Sequence, residues 1–435
     1  MSRRPTPAHP APLASTLRTA RALALAMALA LAAAASAQPT PELPLSLALE
    51  TAEAAPGRLV EATWSERWSA EEVQRRAGPV FGAYGPPRVE NAVDLWQLRF
   101  HTTDLDGSVA TVAAQAFTPV ASPRGAPPLL VYGSGTTGVA ARCAPSRERE
   151  LPAPLGAYRE LLAPFAARGI AVVLPDYLGF DDPARPQAYF VAEAEARVML
   201  DAARAVGELY ARFGGLGPLR PDVVAAGYSQ GGHAAFAAAD RRSEYAPDVA
   251  LRGVVGFAAT TDVAALLATA AYYAPYVLLA YRSTYGAAID PAQVLAPRFL
   301  ANLEREAGSI CVDGAQRVYP YDGASAYATE FHRALQAGAP EVAAPAFARA
   351  LAMNATGLSG HGLPAMLVQG GQDVIVRDAT QQRFAARLCA AGSAVAYVQV
   401  ALARHRDTRP AGFEPAVAWV WGRVAQEPAP TTCTP

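Results

Sequence analysis

An α/β fold with a mostly parallel central sheet, helices on both faces and an inserted helical cap is predicted by three observations. Short apolar runs alternate with helical patterns over much of the 435 residues. The pentad Gly227-Tyr228-Ser229-Gln230-Gly231 sits between one such run and an Ala-rich helical stretch. The alternation then breaks after Asp262 and resumes at Ala365, leaving a helix-patterned region between. Strands that alternate with helices pair in parallel, because each crossover helix packs back over the sheet.

Residues 1–37 read as an export signal. Arg3, Arg4, Arg18 and Arg21 form a basic start, Ala22 to Ala34 is an unbroken Ala/Leu/Met run, and Ala35-Ser36-Ala37 is a small-x-small cleavage pattern. The run is short and alanine-rich for a membrane span; an uncleaved anchor is the alternative. A secreted or periplasmic location with cleavage after Ala37 is therefore expected. Pro39 to Pro56 is a Pro-rich, extended lead-in. Trp64 to Arg76 reads as a helix. Asn91 to His101 and Val109 to Pro119 read as a hairpin around the turn Thr103-Asp104-Leu105-Asp106-Gly107.

Pro128 to Tyr132 reads as a buried strand entering the glycine-rich loop Gly133-Ser134-Gly135-Thr136-Thr137-Gly138. Leu155 to Arg168 reads as a helix, Ile170 to Pro175 as a strand, and Phe190 to Phe213 as a helix ended by Gly214-Gly215. The strand Pro221 to Ala226, the pentad and its helix follow, then the strand Leu251 to Ala258. Helical patches at Ala264–Ala280, Pro291–Glu306, Gly323–Ala337 and Glu341–Met353 make residues 262–361 a helical cap inserted between core segments 38–261 and 362–435. The core resumes with the strand Ala365–Gln369, a helix from Thr380 to Ala391, the strand Val395–Val400 and a helix from Glu414 to Arg423.

The net charge of −1 gives no electrostatic case for nucleic acid or acidic membranes, and all basic residues are arginine. Four cysteines, Cys143, Cys311, Cys389 and Cys433, suit two disulfides in an exported chain, with three connectivities open. No His/Cys cluster has metal-ligand spacing, and no metal or organic cofactor is expected.

The pentad fits the G-x-S-x-G nucleophile elbow, a strand-to-helix turn that lifts a serine hydroxyl above the sheet edge. A serine hydroxyl needs a base to take its proton, and the base needs a carboxylate to fix its tautomer. On this type of sheet the chain order is Ser, acid, His. Asp373 follows the strand Ala365–Gln369 and is the expected acid, with Asp262 as the alternative. His405 is the one histidine downstream of Asp373 and is the expected base. His233 starts the helix under the elbow, where it packs or orients the loop. His101, His332 and His361 precede the acid and read as structural or capping residues. The oxyanion donors are expected to be the N–H groups of Gln230 and of Thr136, with Gly135 and Thr137 as its neighbours. No Gly-Lys-Ser/Thr ends the glycine-rich loop, which excludes a phosphate-binding P-loop.

With these parts in place, the chain resembles the secretory lipase family of α/β-hydrolases, which includes fungal lipases of the lipase A type and bacterial relatives. The resembling segments are Gly135-Thr136-Thr137-Gly138, Cys143-Ala144-Pro145-Ser146, Pro175-Asp176-Tyr177-Leu178-Gly179, Gly227 to Gly232, Gly371-Gln372-Asp373 and Trp421 to Cys433. The resemblance implies a triad of Ser229, Asp373 and His405, a helical cap over the site, and disulfides pairing Cys143 with Cys311 and Cys389 with Cys433. Relatives often carry His-Gly-Thr where this chain has Ser134-Gly135-Thr136.

The expected function is an exported serine hydrolase of carboxylic esters, a lipase or esterase working through an acyl-enzyme. A peptidase or acyltransferase on the same fold and a non-catalytic binding protein are the alternatives. The expected partner is a small ester or lipid, with transient lipid-interface contact through the cap. The stripe Ala271 to Tyr281, with Tyr272 and Tyr276, reads either as acyl-channel lining or as the cap's own core.

Overall fold

The computed structural model describes Met1, residues 46–48, 54–151 and 154–434. The reading of residues 1–37 as an export signal lies outside the described residues, as does most of the Pro-rich lead-in. Among the described residues no helix is long and apolar enough to cross a membrane.

The chain opens with β1 (Ser46–Ala48) and β2 (Leu59–Trp68), followed by helix α1 (Ala70–Phe81). The helix expected over Trp64–Arg76 therefore starts six residues late. Trp64 lies opposite Trp96 in an antiparallel ladder. Ser69 then breaks the strand and caps α1, its hydroxyl accepting from the Glu72 N–H at 3.2 Å. The hairpin forms as expected from β3 (Val93–Thr103) and β4 (Val109–Pro119). Its turn is closed by the Asp104 N–H donating to the Ser108 carbonyl at 2.7 Å, with Gly107 at φ 86°.

From β5 (Leu129–Gly133) onward the strands alternate with helices: α2 (Tyr158–Ala167), β6 (Ala171–Pro175), α3 (Ala192–Arg212), β7 (Asp222–Tyr228), α4 (Gln230–Tyr245) and β8 (Ala250–Phe257). Residues between β8 and the next strand form helical pieces only: α5 (Val263–Thr269), α6 (Ala274–Tyr285), α7 (Leu303–Ala307), α8 (Val312–Val318), α9 (Gly323–Ala326), α10 (Thr329–Gln336) and α11 (Pro345–Met353), joined by 3-10 turns. The sequence reading missed α8 and merged several of these pieces into longer helices. Then come β9 (Ala365–Gly370), α12 (Asp378–Ala390), β10 (Val395–Val400), α13 (Thr408–Ala411) and α14 (Phe413–Val424).

The strand order is β1-β2-β3-β4-β6-β5-β7-β8-β9-β10. Pairing is antiparallel from β1 through β4 to β6 and parallel from β6 to β10. β5 and β7 are buried along their whole length, as expected for parallel strands covered on both faces. One face carries α1, α2 and α14. Phe413 sits between Phe165 and Phe81, with ring centroids at 4.6 and 5.2 Å, edge-on contacts worth about 1 kcal/mol each beyond the buried area. The other face carries α3, α4 and α12, with Phe236 of α4 edge-on to Phe384 at 4.8 Å. Both cysteine pairs are closed, Cys143 with Cys311 and Cys389 with Cys433, as the resemblance implied.

Candidate active site

β7 ends at Tyr228, and Ser229 turns the chain into α4 with φ 54° and ψ −113°, a conformation uncommon for a residue with a Cβ. The surroundings hold it there. Its N–H donates to the Phe257 carbonyl at the end of β8, and its carbonyl accepts from Thr260 and Gly232, each at 3.0 Å. The glycines around it are sterically required. A Cβ on Gly231 would lie 1.8 Å from the Gly133 carbonyl oxygen, and one on Gly227 would lie 2.0 Å from that of Gly231. Three backbones thus meet where β5, β7 and α4 converge.

Asp373 and His405 come from the loops after β9 and β10. These loops are tied together by the Gln372 N–H donating to the Ala403 carbonyl at 3.0 Å. Asp373 Oδ1 accepts from the N–H groups of Ile375 and Val376, each at 2.9 Å. Its Oδ2 faces His405 Nδ1 at 2.7 Å. A carboxylate accepts, so Nδ1 donates and Nε2 is left as an acceptor. Nε2 faces Ser229 Oγ at 3.0 Å. All three expected residues, separated by up to 176 positions, therefore meet in one hydrogen-bonded chain. Ser229 is 3% exposed and His405 7%.

The remaining candidates take other places. Asp262, the alternative acid, caps α5, its Oδ1 accepting from the Ala265 N–H at 3.0 Å. His101 bonds Thr111 at 3.1 Å, and His361 Nδ1 accepts from the Leu363 N–H at 3.0 Å.

The two expected oxyanion donors come from different elements, the start of α4 and the loop after β5. Gln230 is the first residue of α4, where a helix leaves its N–H groups without intrahelical partners. In the loop after β5, the Gly135 N–H is already taken by the Tyr158 hydroxyl at 2.6 Å. The Tyr177 hydroxyl holds the Ser134 carbonyl at 2.8 Å. The Thr136 amide has no acceptor among the described residues. Its side-chain hydroxyl bonds Tyr189 at 2.7 Å. Burial pushes the Tyr158 hydroxyl up to about 12, so it stays protonated and acts as a neutral anchor.

Tyr158 was not singled out in the sequence, nor was Glu148, which accepts from the N–H groups of Gly156, Ala157 and Tyr158 at the start of α2. Glu195 was also missed; the one local signal for it is a carboxylate on the alanine-lined face of α3. The aromatic stripe behaves as core. Tyr272 and Tyr276 are buried, and the Tyr276 hydroxyl donates to the Ile310 carbonyl at 2.8 Å. Among the described residues no His, Cys, Asp or Glu cluster could hold a metal ion.

A family model described as secretory lipase matches residues 155–432. Among curated proteins, one from Mycobacterium tuberculosis named as a probable inactive lipase is 28% identical over 237 residues, 46% of this chain. The match spans about half of that relative, 51% of its length. Among solved structures, the rice cell wall degrading esterase LipA from Xanthomonas oryzae, in a ligand-bound form, superposes with a TM-score of 0.68 at 22% identity, covering 85% of this chain and 98% of that one. A putative hydrolase from Legionella pneumophila gives 0.71 at 19% identity, covering 85% and 99%. Candida antarctica lipase A in its closed state gives 0.62 at 18% identity, covering 92% and 91%. At these identities the likeness is one of fold, that of the α/β-hydrolases.

Proposed function

We propose, from the premise that the chain belongs to the secretory lipase family, that it is an exported serine hydrolase of carboxylic esters working through Ser229, His405 and Asp373. The observation that carries this reading is the unbroken run from Ser229 Oγ through His405 to Asp373, at 3.0 and 2.7 Å. Ser229 Oγ attacks the ester carbonyl carbon while His405 Nε2 takes its proton. Asp373 holds the imidazole and stabilises the charge it gains. The N–H groups of Gln230 and Thr136 receive the oxyanion of the tetrahedral intermediate. The carbonyl re-forms, the alcohol leaves with the proton from His405, and the acyl group stays on Ser229. Water then enters by the same route and releases the acid. Residues 262–361 form the cap over the site. Family membership and the two disulfides support export to an oxidising compartment.

The relative named as inactive makes a non-catalytic role the second reading. Against it stands the presence of all three side chains within bonding reach. The deciding measurement is hydrolysis of p-nitrophenyl esters from acetate to palmitate, with Ser229→Ala alongside. Turnover in the parent chain and a loss on the order of a millionfold in the variant is the expected result. The chain-length profile then separates esterase from lipase. No turnover together with no labelling of Ser229 by a fluorophosphonate would establish the non-catalytic reading.

A further inference from the structure

Behind the elbow lies a second buried polar cluster that the proposed chemistry does not use. Glu195, in the first turn of α3, and His233, in the first turn of α4, are both 0% exposed. Glu195 Oε2 faces His233 Nδ1 at 2.5 Å. Its Oε1 accepts from the Gln230 side-chain amide at 2.8 Å and from the Phe190 N–H at 3.2 Å. His233 Nε2 faces the Asn354 carbonyl at 2.6 Å. Asn354 Oδ1 in turn accepts from the Ala192 N–H at the start of α3, at 2.8 Å, and its Nδ2 donates to the Tyr285 hydroxyl at 2.6 Å.

The hydrogen-bond count fixes part of the chemistry. A carbonyl only accepts, so His233 Nε2 carries a proton. One further proton lies between Nδ1 and Oε2. Every polar atom of Glu195 and His233 then has a partner, which offsets the large cost of burying ionisable groups. The cluster joins three things: Gln230, the residue after the nucleophile; Phe190, held at φ 55° beside the Tyr189 that bonds Thr136; and Asn354, which follows α11 of the inserted region. Ser229 Oγ itself makes no bond to it among the described residues.

We propose that Glu195 and His233 are a positioning pair, which holds Gln230 so that its N–H keeps its aim at the oxyanion and which couples that aim to Asn354 of the insertion. The proposal rests on the ester-hydrolase reading for its effect on rate. It differs from a packing role in what it predicts for variants that still fold. Glu195→Gln keeps the hydrogen-bond pattern, because the new amide oxygen accepts from Gln230 and Phe190 while its nitrogen donates to His233 Nδ1. Glu195→Ala removes all three bonds. Gln230→Met keeps the backbone donor and the side-chain volume but loses the clamp.

The test is kcat per active site, with sites counted by fluorophosphonate titration so that unfolded protein does not enter. Glu195→Ala and Gln230→Met are expected to lose about 10- to 100-fold in kcat with KM nearly unchanged, as for a small misplacement of a catalytic group. Glu195→Gln is expected to recover most of that loss. Proton NMR of the imidazole region should show the His233 Nε2 proton in the parent chain and in Glu195→Gln, with the shared Nδ1 proton in the parent alone. Parent-level kcat per site in both Glu195→Ala and Gln230→Met overturns the proposal. So does a Glu195→Gln variant no better than Glu195→Ala, or a missing Nε2 proton in the parent. Should Glu195→Ala not fold, Gln230→Met decides. A parent chain that neither hydrolyses esters nor takes the phosphonate would defeat the ester-hydrolase reading instead, and the ring-proton spectrum, which needs no turnover, would still decide whether the pair exists.

Discussion

Ser229 is held against the preference of its own backbone. A positive φ of 54° places its Cβ in a region that side-chain-bearing residues avoid, and such strain is worth about 1–3 kcal/mol. The strain persists because the Phe257, Thr260 and Gly232 backbones fix both sides of the residue. It also aims Oγ out of the turn toward His405 Nε2 rather than back along α4. Glycine carries no such penalty. Ser229→Gly is therefore expected to be more stable than Ser229→Ala by about 1 kcal/mol, after the extra chain entropy of glycine is subtracted. Both variants lack the Ser229 hydroxyl and its bond to His405, so the difference reports backbone strain less the chain entropy of glycine. Urea unfolding of the two variants side by side measures it, and an alanine variant equal to or more stable than the glycine one would show that any strain at the elbow is no larger than the entropy cost of glycine.

The loops after the strands carry the site, and their anchors lie on neighbouring elements. Asp176, just after β6, is buried and accepts from the Ser146 N–H at 2.9 Å and the Ser146 hydroxyl at 2.5 Å. Burial is the main cause that pushes its carboxyl up to about 7 from an ordinary 3.8; Asp181 adds to this, while Ser146 and Arg147 oppose it. A carboxyl raised on folding binds more protons in the native chain than in the unfolded one. Its stabilisation is thus fully present below about pH 4 and is lost as the pH rises through about 7. Asp176→Asn keeps the shape and does not titrate. Its stability relative to the parent is expected to improve by roughly 3 kcal/mol between about pH 4 and about pH 8, and denaturant midpoints at the two values check it. A gap that stays constant with pH would rule this out.

The same elements show what a sequence can and cannot reveal. The turn at Ser229 was legible because strand, Gly-x-Ser-x-Gly and helix are contiguous, and the meeting of Asp373 and His405 beside it because each follows a late strand of the sheet, β9 fully buried and β10 partly so. Tyr158 and Glu195 were not, since what they hold lies up to 38 positions away and nothing local marks it. Trp64 to Trp68 was misread because a bulged strand, with register shifts against β3 at Leu59/Glu61 and Trp64/Glu66, lacks clean alternation. The stripe from Ala271 to Tyr281 could not be assigned because a pocket wall and a core share one pattern, and only the burial of Tyr276 and its bond to Ile310 separate them.

On the scale of the whole molecule, two disulfides close loops of very different kind. Cys143–Cys311 spans 168 positions and joins the segment after the β5 loop to the start of α8, in the helical stretch between β8 and β9. Cys389–Cys433 spans 44 and ties the C-terminal tail to α12. Loop-closure entropy alone gives about 5 kcal/mol for the first and about 4 for the second. Stability therefore separates them by only about 1 kcal/mol. Their effect on function should separate them further. Beside the first bond, the Val312 N–H donates to the Thr137 carbonyl at 2.9 Å and Gly138 bridges Cys311, so this helical stretch grips the loop that holds Thr136. Beside the second, the Thr432 N–H reaches the Val395 carbonyl at the sheet edge, on the strand before the histidine loop but at its far end. Replacing Cys143 and Cys311 with serine should lower kcat per titrated site as well as the unfolding midpoint. Replacing Cys389 and Cys433 should lower the midpoint and leave kcat near the parent value. If the two double variants lost kcat equally, the first disulfide would be no more than a clamp on the unfolded chain, and the grip of this helical stretch on the loop of Thr136 would have to come from the backbone bonds at Thr137 and Gly138 alone.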